Sequence, residues 1–153
     1  MEYKILDEND IELMERFVDD ENTHYDKEKI KEFIKDKNAY GFIIKNKNEI
    51  IGFAYGYVLL RPDGRKDFYM HAIDVIEQYQ GNGYGTKLMV FIKNYIKTIE
   101  CRKMFLITNK GNISACKCYK KDTHCSNSIN RHCNKIALCL ISFAKKTHQW
   151  LCN

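Results

Sequence analysis

The sequence predicts one α/β domain: a mixed, mostly antiparallel central sheet flanked by helices on both faces. Three observations lead there. Residues 39–75 hold three consecutive runs rich in β-branched and aromatic residues, separated by turn chemistry, which reads as a meander of antiparallel strands. Before and after the meander, apolar residues recur at three- and four-residue spacing, the period of helices that bury one face. A further short strand follows the last long helix, and a layered sandwich is the arrangement that covers all of those apolar faces.

Taken in order, residues 3–6 read as a short strand. A helix is expected over residues 10–18, with Leu13, Met14, Phe17 and Val18 on one face and with Asn9, three positions before Glu12, at its start. A second helix over 27–35 repeats the pattern with Ile30, Phe33 and Ile34, and Asp26 is its expected N-cap. The segment between them, Asp19-Asp20-Glu21-Asn22-Thr23-His24-Tyr25-Asp26, is acidic. Strands follow over 39–45 and 50–60, joined by Asn46-Lys47-Asn48, and Pro62-Asp63-Gly64 turns the chain into a third strand over 67–75. Helical spacing returns near Gly85 through Leu88, Phe91, Ile92, Tyr95, Ile96 and Ile99. Residues 103–108 read as a strand and 113–120 as a helix. From Thr123 to Asn153 there is no Asp or Glu and little periodicity; only 135–144 reads as an ordered strand or helix. The expected organisation is one domain over 1–121, with 122–153 as its atypical C-terminal tail.

With 153 residues and 44% hydrophobic content, the chain has the size of one domain with a real core. Its apolar runs, 52–60 and 88–99, are too short or too interrupted to cross a bilayer. Met1-Glu2-Tyr3-Lys4 shows no secretory pattern, so a cytoplasmic protein is expected. The formal charge of +5 comes from lysines scattered among acids, a solvated surface without the basic stripe that nucleic-acid binding needs. Neither nucleic acid nor membrane is an expected partner. The seven cysteines are expected as reduced thiols. Cys125, Cys133 and Cys139 with His124 and His132 lack the paired Cys-x-x-Cys spacing of a zinc site, and no metal is expected.

The chemistry-bearing run is Asp74-Val75-Ile76-Glu77-Gln78-Tyr79-Gln80-Gly81-Asn82-Gly83-Tyr84-Gly85-Thr86-Lys87-Leu88. A strand ends near Val75 and a helix starts near Gly85, with glycines just ahead of it. Glycines let the backbone approach a ligand, and the first amides of the helix point outward without intrahelical partners. Such a turn binds a phosphate or pyrophosphate. The spacing Gly81-x-Gly83-x-Gly85 is not Gly-x-Gly-x-x-Gly, and no Gly-Lys-Ser or Gly-Lys-Thr closes the turn, so a dinucleotide fold and a Walker loop are both disfavoured.

Gln80-Gly81-Asn82-Gly83-Tyr84-Gly85 resembles the Arg/Gln-x-x-Gly-x-Gly/Ala signature of the GNAT N-acetyltransferases, and Asn112-Ile113-Ser114-Ala115-Cys116-Lys117-Cys118-Tyr119 is similar to that family's Asn-x-x-Ala-x-x-x-Tyr. The resemblance implies acetyl-CoA as co-substrate and a small-molecule amine as acceptor, attacked directly and without a metal. It places Gln80, Gly81, Asn82, Gly83, Tyr84, Gly85 and Thr86 at the pyrophosphate and Asn112 on the coenzyme arm, where that asparagine also suits a helix cap. Tyr119 becomes the general acid for the departing thiolate, or else a core residue of its helix. The family splays two central strands at a bulge, which by the match falls at 73–75. Backbone groups of Ile73 and Val75 would hold the pantetheine and polarise the thioester.

Many relatives carry a carboxylate three residues before the valine, where this chain has Ala72. Asp74 is the first candidate for the general base and His71 the second; alternation puts Ala72 and Asp74 on one face and His71 on the other unless a bulge intervenes. A structural role for Asp74 stands beside the catalytic one. Ala54-Tyr55-Gly56-Tyr57-Val58-Leu59-Leu60-Arg61 is more loosely similar to the aminoglycoside 3-N-acetyltransferases, which suggests an aminoglycoside or another polyamine as acceptor; a protein N-terminus stays open beside them. The acidic residues 19–26 would supply a negative pocket, or simply solvate a loop. The family's Gly-Phe and final hairpin are not recognisable after Tyr119, which keeps a catalytically degenerate acyl-CoA-binding module as the alternative. A homodimer is the assembly the resemblance allows.

Overall fold

The computed structural model describes residues 1–18, 24–109 and 136–142. Its centre is a six-stranded sheet in sequence order: β1 (Glu2–Ile5), β2 (Ala39–Asn46), β3 (Glu49–Leu60), β4 (Lys66–Val75), β5 (Cys101–Asn109) and β6 (Ile136–Ser142). Neighbouring strands are antiparallel except β4 and β5. That parallel pair follows from the 15-residue helix between them, because a parallel partner requires the chain to cross back over the sheet. The expected class, a mostly antiparallel mixed sheet with helices on both faces, holds.

Three α-helical segments accompany the sheet: α1 (Glu15–Val18), α2 (Lys27–Lys35) and α3 (Tyr84–Thr98). The long helix α3 buries Leu88, Met89, Ile92 and Ile96 against Phe42, Ile44, Phe68, Met70, Met104 and Leu106 of the strands. On the opposite face, Ile30 of α2 joins Leu6, Ile11, Met14, Ile43 and Ile50. Two apolar layers thus cover the two faces of β2 and β3, and each buried Leu or Ile contributes roughly 1.5–3 kcal/mol. Among the described residues, no helix is long and apolar enough to cross a membrane.

The N-terminal helix departs from expectation. Instead of one helix over 10–18, a 3-10 helix spans Glu8–Leu13 and α1 is a single short turn. Its N-cap is Asp7 rather than Asn9: the Asp7 carboxylate accepts from Asn9 N at 2.9 Å, and Asp10 accepts from the Asp7 amide in return. The cause lies in ion pairing. Asp10, with no exposed surface, meets Lys4 Nζ at 2.7 Å and Lys45 Nζ at 2.8 Å. A buried carboxylate is tolerated only with such partners, and holding it between β1 and β2 tightens the backbone around it.

The other boundaries lie close to expectation. Asp26 caps α2, accepting from Glu28 N and Lys29 N, and Gly64 supplies the left-handed residue of the β3–β4 turn with φ +79°. The helix expected over 113–120 lies outside the described residues.

Candidate active site

Strand β4 carries one residue too many for its partner. Tyr55 pairs with Ala72 and Gly56 with Met70, so His71 stands opposite no residue of β3, a bulge. Gly56 makes room for it: a Cβ there would overlap the Tyr69 carbonyl oxygen and lie 2.7 Å from the Phe68 ring. The bulge therefore falls at His71, upstream of the 73–75 stretch assigned to it from the resemblance. It also overturns the plain alternation, because an inserted residue turns His71 to the face of its neighbour Ala72.

The rings mark that face. His71 lies 4.9 Å from the Tyr55 ring, 5.7 Å from Tyr69 and 6.5 Å from Tyr57. Tyr55 stacks on Phe53 and meets Phe33 of α2 edge-on, and Tyr69 stacks on Phe105. Asp74 pairs with Phe53. His71, Ala72 and Asp74, all exposed, thus share the α2 side of the sheet with an aromatic wall. Nothing local marks Tyr55, Tyr57 and Tyr69 as site residues in the sequence; Tyr-x-Tyr on β3 facing Tyr-x-His on β4 becomes a cross-strand signal once the register is known. Burial pushes the Tyr55 hydroxyl up from its ordinary value, with smaller contributions from Tyr57 and Tyr69, so it keeps its proton.

Beyond the bulge the sheet opens. The β4–β5 ladder ends at Met70 opposite Leu106. Ile76 N donates to Ile51 O at 3.0 Å, which sets the phase of the β3 pairing: Ala72 and Asp74 exchange hydrogen bonds with β3, while Ile73 and Val75 turn their N–H and C=O toward the side where β5 has left. On that side the Val75 amide donates to Asp74 Oδ1 at 2.8 Å. The Val75 carbonyl accepts from Gln80 Nε2 at 2.7 Å.

The glycine turn follows directly. After a 3-10 turn at Glu77–Tyr79, Asn82 Nδ2 donates to the carbonyls of Tyr79 (3.3 Å) and Gln80 (3.1 Å), which shapes the loop from within. Gly81 and Gly83 take left-handed φ of +77° and +78°, and a Cβ on either would meet nothing within 4 Å. Gly83 is the N-cap of α3, so no side chain caps that helix, and its first turn carries no acid. Gly85 and Thr86 lie in that first turn, and Lys87 Nζ sits 6.0 Å from the centre of the Tyr84 ring. An uncapped helix start beside open space can hold an anion, with backbone amides and the helix dipole acting together.

The structure thus brings His71, Ile73, Asp74, Val75 and the turn 80–86 together at one end of β4. Asn112 and Tyr119 lie outside the described residues, as do residues 19–23 of the acidic segment; Asp26 of that segment is engaged as the α2 cap. Among the described residues no group of three His, Cys, Asp or Glu side chains is placed to hold a metal ion. Cys101 is a buried free thiol, raised from its ordinary value chiefly by burial.

A family model described as "Acetyltransferase (GNAT) family" matches residues 6–124. No curated protein matches. Among solved structures, the fold is similar to an aminoglycoside acetyltransferase from an uncultured soil metagenomic sample, with 22% identity over 78% of this chain and 85% of that one and a TM-score of 0.69. It is also similar to NAA60 of Arabidopsis thaliana in complex with acetyl-CoA (19% identity, 92% and 97% covered, TM-score 0.68). A GNAT-family acetyltransferase from Streptococcus pneumoniae gives 14% identity, 92% and 98% covered and a TM-score of 0.69. At these identities the likeness is one of fold.

Proposed function

The chain belongs to the acetyltransferase (GNAT) family, and on that premise we propose that it moves an acetyl group from acetyl-CoA to a primary amine by direct attack. The observation that carries this reading is the continuity of the opened end of β4 with an uncapped, acid-free helix start that follows it through the glycine turn. Such a site has room for a pyrophosphate over Gly81 and Gly83 and strand amides for the arm that follows it, so the residues fit the coenzyme. Bound there, acetyl-CoA would supply the activated acetyl thioester.

The chain's own residues then divide the work. Amides of the turn, from Gly81 to Thr86, hold the phosphates, with Gln80 and Asn82 keeping the loop in shape. Ile73 and Val75 offer backbone groups to the arm and to the thioester carbonyl. Asp74 takes the proton of the incoming ammonium, with His71 on the same face as the second candidate, and Asn112 and Tyr119 keep the roles of arm contact and general acid. The wall of Tyr55, Tyr57 and Tyr69 supports an amine as acceptor, because ring faces attract an ammonium. An aminoglycoside or another polyamine is the acceptor class we would screen first. One observation favours the alternative, an acyl-CoA-binding module without turnover: Ala72 presents a methyl group where many relatives carry a carboxylate.

Calorimetric titration with acetyl-CoA tests the reading. Wild type is expected to bind saturably, and Gly83→Asp, whose carboxylate would stand in the open space over the turn, is expected to lose at least about 2 kcal/mol of binding, some thirtyfold, through like-charge repulsion. Absence of binding by folded wild type would overturn the proposal. Binding without acetylation of any amine would select the non-catalytic module.

A further inference from the structure

Of the backbone groups that β4 turns toward the open side, both of Val75's are engaged by neighbouring side chains. Val75 N–H donates to Asp74 Oδ1, and Val75 C=O accepts from Gln80 Nε2. An amide on an unpaired strand end needs an acceptor, and the carboxylate one residue earlier is the nearest one. On the acetyltransferase reading, on which this inference rests, the same amide is the one offered to the thioester carbonyl. We propose that Asp74, besides its part at the acceptor face, holds the Val75 amide in the free protein, competes with acetyl-CoA for it, and is released to the acceptor face when the amide is taken.

The competition has a direction. A hydrogen bond to a carboxylate is stronger than one to a neutral carbonyl, so at this single amide Asp74 prevails over an uncharged acceptor. Contacts elsewhere, at the turn 81–86, have to supply the difference. Once displaced, the Asp74 carboxylate has lost its backbone donor. It is exposed, on the strand face shared with Phe53, Tyr55 and His71, where an ammonium would approach. One N–H therefore couples two events: the Asp74 carboxylate turns to the acceptor face when Val75 takes another partner. Gln80 makes the matching contact on the carbonyl of the same residue, so the pair keeps this stretch of β4 in order.

Calorimetry on wild type, Asp74→Ala and Asp74→Asn, each checked for fold by circular dichroism, tests the inference with two probes. One is acetyl-CoA; the other is adenosine 3′,5′-bisphosphate, which carries phosphates but no pantetheine arm. Asp74→Ala is expected to bind acetyl-CoA about three- to tenfold more tightly than wild type, the range of one net hydrogen bond. Asp74→Asn, whose side-chain oxygen can still accept from Val75 but without the charge, is expected to lie between wild type and Asp74→Ala. Neither variant should change its affinity for the bisphosphate. The inference is overturned if folded Asp74→Ala gains nothing, if Asp74→Asn gains as much as Asp74→Ala, which assigns the effect to charge, or if the bisphosphate shows the same gain. Failure of wild type to bind acetyl-CoA removes the acetyltransferase reading and this inference with it; binding without the gain removes this inference alone.

Discussion

A Cβ at position 56 would overlap the Tyr69 carbonyl oxygen and crowd the ring of Phe68, which has no exposed surface. The strand can host an extra residue at His71 because its partner has none of that bulk. Gly56→Ala should therefore act twice. Over-packing at a backbone contact costs about 1–3 kcal/mol, read as a lower urea midpoint, and the register that sets His71 beside Tyr55 should shift. The second effect is visible without any activity assay, as a change in the ring-current shifts of the His71 protons. A Gly56→Ala protein of wild-type stability with unchanged His71 shifts would contradict this account of the bulge. The position also shows why the site was only partly legible in the sequence. The turn 80–86 could be read because its chemistry is local, whereas the side that His71 takes depends on how far β3 is offset from β4, and no residue near His71 announces that offset.

The same contrast between local and distant causes separates the elements. Asp26 was readable as the cap of α2 because the amides it accepts from are two and three residues away. The start of the 3-10 helix at Glu8 was not, since Asp10 answers to Lys45, 35 residues along the chain. That N-terminal element should carry a distinct pH signature. The Asp7 carboxyl is held below its ordinary 3.8, first by its hydrogen bond with Lys4, and the Lys4 ammonium is raised above 10.5, first by its hydrogen bond to Asp10 and then by that to Asp7. A depressed carboxyl contributes stability that is complete above its unfolded value and lost as pH falls through the folded one. A raised ammonium contributes below its unfolded value and loses it as pH rises through the folded one. The stability difference between wild type and Lys4→Met should thus be level from 3.8 to 10.5 and shrink on either side. Urea midpoints across that range measure it; a difference that keeps growing in acid would assign the role of Lys4 to something other than these carboxylates.

At the scale of the molecule, the sheet keeps its two functions apart. The opened end of β4 and the tyrosines of the aromatic wall lie on β3 and β4, and the turn 80–86 leads from β4 into α3, whereas β6 joins from the tail and pairs with β5 from Lys103 opposite Ser142 to Asn109 opposite Ile136. The sequence around 135–144 could be read as an ordered strand or helix but not given a place in the sheet, because its partner lies some thirty residues earlier. Without β6 the edge of β5 would present unpaired N–H and C=O groups along nine residues, next to an Ile107 side chain already 52% exposed. Such an edge is a template for pairing with another chain. Removal of residues 122–153 should therefore produce concentration-dependent association, followed by light scattering, while the monomeric fraction at low concentration retains acetyl-CoA affinity within about threefold of the full chain, a difference below 1 kcal/mol. The two readouts separate the possibilities. Association with retained affinity assigns the tail to edge protection, a monodisperse truncated protein rejects that role, and affinity lost in a folded monomer means that the tail reaches the coenzyme site itself.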